Sequence, residues 1–136
     1  AIVTDTNMAL SGINKKTLAV FGCEAKCLMA DETVAKLAKE QKTTRAAVSM
    51  EIAASWNKPT IFVVGNAPTA LIHLYEMIEN GQLSPAFIVG APVGFVNVVQ
   101  SKELIMQTDT PYIVARGRKG GSNVAAAIIN ALLYMQ

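Results

Sequence analysis

The chain has 136 residues, 51% apolar and 16% charged, so we expect a packed globular core rather than disorder. Its net charge is +2, too balanced for a nucleic-acid-binding protein, in which basic residues would line one face. No apolar run approaches the ~20 residues that span a bilayer, and no signal peptide is visible. We therefore expect a soluble, cytoplasmic protein without nucleic-acid or membrane partners.

Short β-rich runs alternate with helical patterns along the chain. None of the runs alternates in polarity, which is typical of strands buried on both faces of a parallel sheet. The predicted strands are Ile2–Thr4, Leu18–Phe21, Thr60–Val64, Ala86–Val89 and Tyr112–Ala115. The predicted helices are Asp31–Gln41, Thr43–Trp56, Pro68–Glu79, Ser101–Met106 and Asn123–Tyr134. This order predicts a single α/β domain over residues 1–136: a three-layer α/β/α, Rossmann-like fold with a mainly parallel sheet.

The two cysteines, Cys23 and Cys27, are four residues apart. On a helix they would share a face, but two thiols and one histidine cannot complete an ordinary four-ligand zinc site. We expect reduced, partly buried thiols and no bound metal.

The helix predicted from Thr43 is thin, because small residues fill it: Ala46, Ala47, Ser49, Ala53 and Ala54. Such a helix either packs closely against another helix or lies against a flat ligand. Arg45 falls in its first turn, where a cation opposes the helix dipole. The arginine is therefore either a surface residue balanced by nearby acids or directed at an external anion.

The unusual residues follow the predicted strands, at the edge of the sheet where ligands of open parallel sheets collect. The four segments are Asp5–Asn7, Gly65–Ala70, Gly90–Asn97 and Arg116–Ser122. Glycine and proline there indicate sharp turns or close approach to a ligand. Any one of these segments could be an ordinary loop that uses glycine and proline to turn, but four of them at one edge favour a ligand-binding site.

The last of these segments, "RGRKGGS", contains neither a phosphate-loop spacing nor a dinucleotide-binding glycine pattern. Backbone N–H groups at a helix start and the cations of Arg116, Arg118 and Lys119 would suit an anion. A solvated basic loop and an anion clamp are equally good interpretations of this turn taken alone.

His73 is the only histidine and therefore the obvious candidate for a general base. It lies off the apolar stripe of its helix, which is formed by Leu71, Leu74, Tyr75 and Ile78. We therefore interpret it as a solvated or structural residue rather than as a catalyst.

Taken together, the loops resemble the precorrin-8X methylmutase (precorrin isomerase) family. The segments that carry the resemblance occur in one order over about Ile2–Leu133: "TD…M…GI", "TRAA", "VVGNAPTAL", "GAPVGFV", "SKE", "PYI" and "GRKGGS…A…NAL". The combination is highly specific, although no single motif is.

The resemblance implies an isomerase of cobalamin (vitamin B12) biosynthesis. Such enzymes move a methyl group from C11 to C12 of precorrin-8X, or of its cobalt complex, giving hydrogenobyrinate or cobyrinate. It also implies an α/β/α fold, a homodimer with the active site near the subunit interface, and no added cofactor. The substrate is a partly apolar disc fringed with carboxylates.

On this resemblance, the basic turn "RGRKGGS" meets carboxylates rather than phosphates. Arg45, Arg116, Arg118 and Lys119 would neutralise the acidic fringe, and Asn66 and Thr69 would hydrogen-bond at the ring edge. The remaining predicted substrate-binding residues are Pro92, Val93, Gly94, Phe95 and Ser122.

The family's histidine, with a general-acid role, lies upstream of "TD…M…GI". We therefore expect a chain without the family's N-terminal segment, one that binds corrinoid but transfers the methyl group poorly, and we assign no catalytic residue. The alternative is a non-catalytic corrinoid- or nucleotide-binding α/β module. An α/β domain with incidental basic loops is a third, weaker alternative.

Overall fold

The computed structural model describes residues 1–135, which form one five-stranded parallel sheet flanked by seven helices. The strands are β1 (Ile2–Thr4), β2 (Ala25–Cys27), β3 (Ile61–Val64), β4 (Phe87–Gly90) and β5 (Tyr112–Val114). The helices are α1 (Asn7–Gly12), α2 (Lys15–Val20), α3 (Glu32–Gln41), α4 (Arg45–Ala54), α5 (Pro68–Glu79), α6 (Val98–Met106) and α7 (Ser122–Tyr134). The predicted α/β class and parallel sheet are confirmed.

Helices cover both faces of the sheet, which makes three layers. On one face, α4, α5 and α6 pack on a core that includes Phe62 and Ile88, and α3 packs on α4. On the other face, α1, α2 and α7 pack on a core that includes Val63 and Val89. Because each central strand is buried on both sides, its sequence is continuously apolar.

The strand order is β2-β1-β3-β4-β5, with β1 paired to both β2 and β3. The direction of winding therefore reverses between β1 and β3. In doubly wound sheets of this order, the crevice outside the carboxyl ends of the strands at this reversal is the usual ligand site. The residues that follow β1 and β3 are consequently the first place to look.

The strand predicted at Leu18–Phe21 is wrong, because this segment belongs to α2. Asn14 caps the helix by accepting the N–H of Thr17, and Leu18 is buried while Val20 is 80% exposed. The cap and a single buried position fix a short helix despite the β-rich composition. The second strand is instead β2, which was not predicted.

Both cysteines are free and half-buried. Cys27 ends β2 and Cys23 lies in the loop before it, so they do not share a helix face. The expectation of partly buried free thiols is confirmed.

The small residues of α4 are explained by close packing between helices. Ala46, Ala47, Ser49 and Ala53 are all buried, and α4 packs against both α3 and α5. Side chains this small allow three helices to approach side by side over the sheet. Arg45, the first residue of α4, is exposed.

Candidate functional site

The carboxylate of Asp5, directly after β1, is buried and binds the start of the β3–α5 loop. Its Oδ1 accepts the N–H of Gly65 at 2.7 Å, and its Oδ2 accepts those of Asn66 and Ala67 at 2.9 and 2.8 Å. Burial raises the pKa of Asp5, and these three hydrogen bonds oppose the rise. The N–H groups that an external anion would need here are already occupied by a carboxylate of the protein.

The start of α7 lies across the same ends of β1 and β3. The hydroxyls of Thr6 and Ser122 are hydrogen-bonded at 2.7 Å, and a Cβ on Gly65 would lie 2.7 Å from the Cα of Ser122. Position 65 therefore requires glycine, because the backbone at the start of α7 leaves no room for a side chain there. The crevice between β1 and β3 is closed by the protein's own residues.

The double glycine of "RGRKGGS" lies against the end of β4. The N–H of Gly121 donates to the carbonyl of Ala91 at 2.7 Å, and a Cβ on Gly120 would come within 2.4 Å of the same oxygen. These glycines permit close packing of the turn on the sheet. Their occurrence therefore needs no bound phosphate to explain it.

A buried lysine holds the preceding part of the turn. Lys102 of α6 is 1% exposed, and its Nζ donates to the carbonyls of Gly117 and Lys119 at 2.7 and 2.8 Å. Burial lowers the pKa of this lysine. The turn is thus fixed from beneath by a cation that solvent does not reach.

The cationic side chains of the turn are exposed at its outer surface. Arg116, Arg118 and Lys119 all face solvent, and Arg116 lies 3.7 Å from Glu103 of α6. The guanidinium of Arg118 lies over the ring of Phe95, 5.7 Å from its centroid, and Phe95 is 84% exposed. This cation–aromatic pair joins the loop after β4 to the loop after β5.

The other predicted site residues differ in exposure. Asn66, Thr69 and Gly94 are exposed, whereas Val93 is half-buried and Pro92 is buried. The structure thus brings Phe95 and Arg118 together, and it engages the hydroxyl of Ser122 with Thr6.

Arg45 lies where the starts of α4 and α5 are joined. Thr44, the N-cap of α4, accepts the N–H of Ala47, and its hydroxyl is 3.0 Å from that of Thr69. Arg45 therefore begins α4 beside the first turn of α5, with its side chain exposed.

His73 lies between two carboxylates on the outer side of α4 and α5. Its Nε2 is 3.4 Å from Glu51 and its Nδ1 is 3.9 Å from Glu76, and Nε2 is shielded from solvent without a hydrogen-bond partner. Within the described residues, no cluster of three or more His, Cys, Asp or Glu side chains is arranged to hold a metal ion.

Two surface depressions, of about 690 and 530 Å³, lie at the opposite edge of the sheet. Gln82, Leu83 and Ser84, which precede β4, line both. They hold none of the exposed cations of the basic turn, so we place the candidate site at the carboxyl edge on chemical grounds.

Two residues that organise this edge, Asp5 and Lys102, were not among the predicted site residues. Asp5 was predicted only as part of an unusual segment, and its three partners, the N–H groups of residues 65–67, lie in the loop before α5. Lys102 falls on the buried stripe of α6 with Val98, Ser101 and Ile105, and a lysine at such a position is a detectable signal.

The fold and this edge define a doubly wound α/β protein with a closed β1–β3 crevice and an exposed cationic turn after β5. The family model for precorrin-8X methylmutases matches residues 1–135. The chain belongs to the precorrin-8X methylmutase family.

Relatives and solved structures agree with this assignment. The chain is 51% identical to the cobalt-precorrin-8 methylmutase of Salmonella typhimurium over 98% of its own length and 62% of the relative's. It is 40% identical to the precorrin-8X methylmutase of Pseudomonas aeruginosa over 97% of its length and 64% of the relative's.

Among structures, it is similar to a "precorrin-8X methylmutase related protein" (TM-score 0.88, 32% identity, 99% of this chain and 70% of the other). It is also similar to the precorrin-8X methylmutase of Thermus thermophilus (TM-score 0.83, 39% identity, 98% of this chain and 65% of the other). The chain spans about six-tenths of the length of the curated relatives it matches. Within residues 1–135, no helix has the length and apolar content needed to cross a membrane.

Proposed function

We propose that this protein is a methylmutase of cobalamin biosynthesis, which moves a methyl group from C11 to C12 of precorrin-8X or cobalt-precorrin-8. Family membership supports the reaction, and the exposed pair of Arg118 and Phe95 supports the site. An aromatic ring beside a guanidinium offers apolar contact to a flat macrocycle and charge to its carboxylate fringe.

The expected binding free energies require the cations of the turn and the nearby apolar side chains to bind the substrate together. An exposed pair between a cation and a carboxylate contributes about 0.2–1 kcal/mol, so Arg116, Arg118 and Lys119 together contribute only about 0.6–3 kcal/mol. Useful affinity therefore needs apolar contact as well, at about 25 cal/mol per Å² buried. Phe95 and Val96, which are 84% and 78% exposed, offer such area beside the cations.

The closed crevice argues against a nucleotide as the ligand of this edge. At the β3–α5 loop, Asp5 already occupies the N–H groups of Gly65, Asn66 and Ala67, and a phosphate would have to displace a buried carboxylate. The cations after β5 are the exposed side chains of Arg116, Arg118 and Lys119, and guanidinium groups pair with carboxylates as well as with phosphates.

The experiment is a visible-absorption titration of the chain with cobyrinic acid and hydrogenobyrinic acid, beside ATP and NADH. A saturable shift with the corrinoids alone is expected, and Arg118→Ala and Phe95→Ala should each weaken it. Lys36→Ala, an exposed lysine of α3, is the control. Binding of a nucleotide instead, or silence from all four ligands, would contradict the proposed site.

Conversion is measured separately, by incubating the chain with precorrin-8X and following hydrogenobyrinate formation. We expect binding with little conversion, since no described residue is assigned the general-acid role. Efficient conversion would mean that a residue of this chain supplies the proton. The homodimer and the cytoplasmic location stay predictions, for which sedimentation and cell fractionation are the direct tests.

A further inference from the structure

Lys102 is a buried lysine without a carboxylate partner among the described residues. It is 1% exposed, on the α6 stripe whose other members are Val98, Ser101 and Ile105. Buried lysines are rare because removing the ammonium from water is costly. A residue that only filled space at this position would be better apolar, so the ammonium itself requires an explanation.

The explanation lies in the two backbone carbonyls that the ammonium binds. Its Nζ is 2.7 Å from the carbonyl oxygen of Gly117 and 2.8 Å from that of Lys119. Gly117 has φ +83°, a conformation that other residues rarely adopt. The backbone of the turn thus directs two carbonyls inward at Lys102, while the side chains of Arg116, Arg118 and Lys119 are exposed.

We propose that Lys102 is a positioning residue, which acts through these two hydrogen bonds to hold the turn at Gly117–Lys119 in the conformation that displays its cations. Its effect on the turn follows from the geometry alone. Its effect on corrinoid affinity rests on the proposed function, because the displayed cations are the ones that would meet the carboxylates.

Trypsin tests the effect on the turn, since it cleaves after Arg116, Arg118 and Lys119 only when that backbone leaves its folded conformation. The variants are Lys102→Met, which keeps the volume without donors, and Lys102→Arg, which keeps a cation with several N–H donors. We expect cleavage in the turn, identified by mass spectrometry, to be at least about tenfold faster in the Met variant, a change of about 1.4 kcal/mol. The Arg variant should stay close to wild type.

A space-filling role for Lys102 predicts the reverse order of cleavage rates. Lys102→Met would then be cleaved at the wild-type rate and Lys102→Arg faster, and that outcome would overturn the proposal. Lys36→Met removes an exposed lysine elsewhere and is the control for charge and for the loss of a cleavage site.

A second variant keeps the test decisive if both Lys102 variants unfold. Gly117→Ala leaves α6 intact and has no atom within 4 Å of the new Cβ, but it strains the backbone that presents the carbonyl. Gly22→Ala, with φ +68° and equally open surroundings, carries the same strain far from the turn. Faster cleavage of the turn in Gly117→Ala only is expected; equal rates in the two alanine variants would overturn the proposal.

Corrinoid titration of the same variants separates this proposal from the proposed function. If the wild type binds and Lys102→Met binds at least about tenfold more weakly, both are supported. If the wild type binds no corrinoid while the trypsin order holds, the proposed function fails and the positioning role stands. If Lys102→Met matches the wild type in both corrinoid affinity and trypsin cleavage, the positioning role fails and the proposed function stands.

Discussion

The Asp5 carboxylate joins the end of β1 to the end of β3 by accepting the N–H of Gly65 at 2.7 Å. The two strands are neighbours in the sheet, on either side of the point where the winding reverses. An internal anion therefore fills the position where doubly wound proteins usually bind a ligand. The exposed chemistry lies instead after β4 and β5, where Phe95 and Arg118 meet.

Replacing Asp5 by asparagine should destabilise the fold. The two oxygens of Asp5 accept hydrogen bonds from three N–H groups. In asparagine an NH2 group replaces one oxygen, and this donor would face at least one of those N–H donors. A buried donor without an acceptor costs about 1–3 kcal/mol. Urea denaturation of Asp5→Asn should show a loss of that size, whereas exposed Asp109→Asn should stay within ~0.5 kcal/mol of wild type. Equal stability of the two variants would mean that the carboxylate is dispensable.

Periodicity and turn chemistry predict much of this fold. The bounds of α5 match the prediction, since Pro68 suits the first turn and Gly81 follows the end. The central strands are also close to prediction, because only residues buried on both faces give long apolar runs. The segment from Leu18 fails because its short apolar run suits either structure, and the Asn14 cap decides it.

The sequence predicts which loops lie at the carboxyl edge of the sheet, but it does not predict the hydrogen bonds that connect them. These loops share one edge because the strands are parallel, which the alternation of strands and helices along the chain indicates. The contacts of Asp5 with Gly65 and of Lys102 with Gly117 join residues 60 and 15 positions apart, and no local pattern encodes such pairs.

Gly65→Ala should destabilise the protein more than Gly90→Ala. The two glycines lie at the ends of neighbouring strands, but the new Cβ at Gly65 would be 2.7 Å from the backbone of Ser122. At Gly90 it would meet only side-chain carbons of Leu71 and Val114, at 3.3 Å. Overpacking against backbone should cost about 1–3 kcal/mol, measured by urea denaturation, and side-chain relaxation should make Gly90→Ala milder. The reverse order would exclude close passage of α7 over β3.

Arg45→Ala should weaken corrinoid binding and leave the fold intact. The arginine is exposed at the first position of α4, where its charge opposes the helix dipole, so its removal costs no stability and gains up to about 1 kcal/mol. Absorption titration measures the affinity and urea denaturation the stability. Lys39→Ala, at an exposed position in the last turn of α3, is the matched loss of one cation. Unchanged affinity in Arg45→Ala would remove this residue from the site.

His73→Ala should leave corrinoid binding, and any conversion, close to wild type. The imidazole lies between Glu51 and Glu76 on the outer side of α4 and α5, so we expect its role there to be structural. The same absorption assay measures both quantities. A large loss of conversion with normal unfolding behaviour would make His73 a participant in the reaction.

The stability of the wild-type protein should rise because of Lys102 as the pH increases from the lowered pKa of this lysine in the folded state to its ordinary pKa of 10.5. Burial lowers the pKa of this lysine from 10.5, so the folded protein releases the proton at a lower pH than the unfolded chain does. In that interval the unfolded chain binds more protons, and the free energy of unfolding therefore increases with pH. The contribution is fully present above pH 10.5 and is lost as the pH falls through the lowered pKa of the folded state. Urea denaturation at a series of pH values should show this rise in the wild type relative to Lys102→Met, and parallel pH profiles of the two proteins would show that the ammonium is not desolvated.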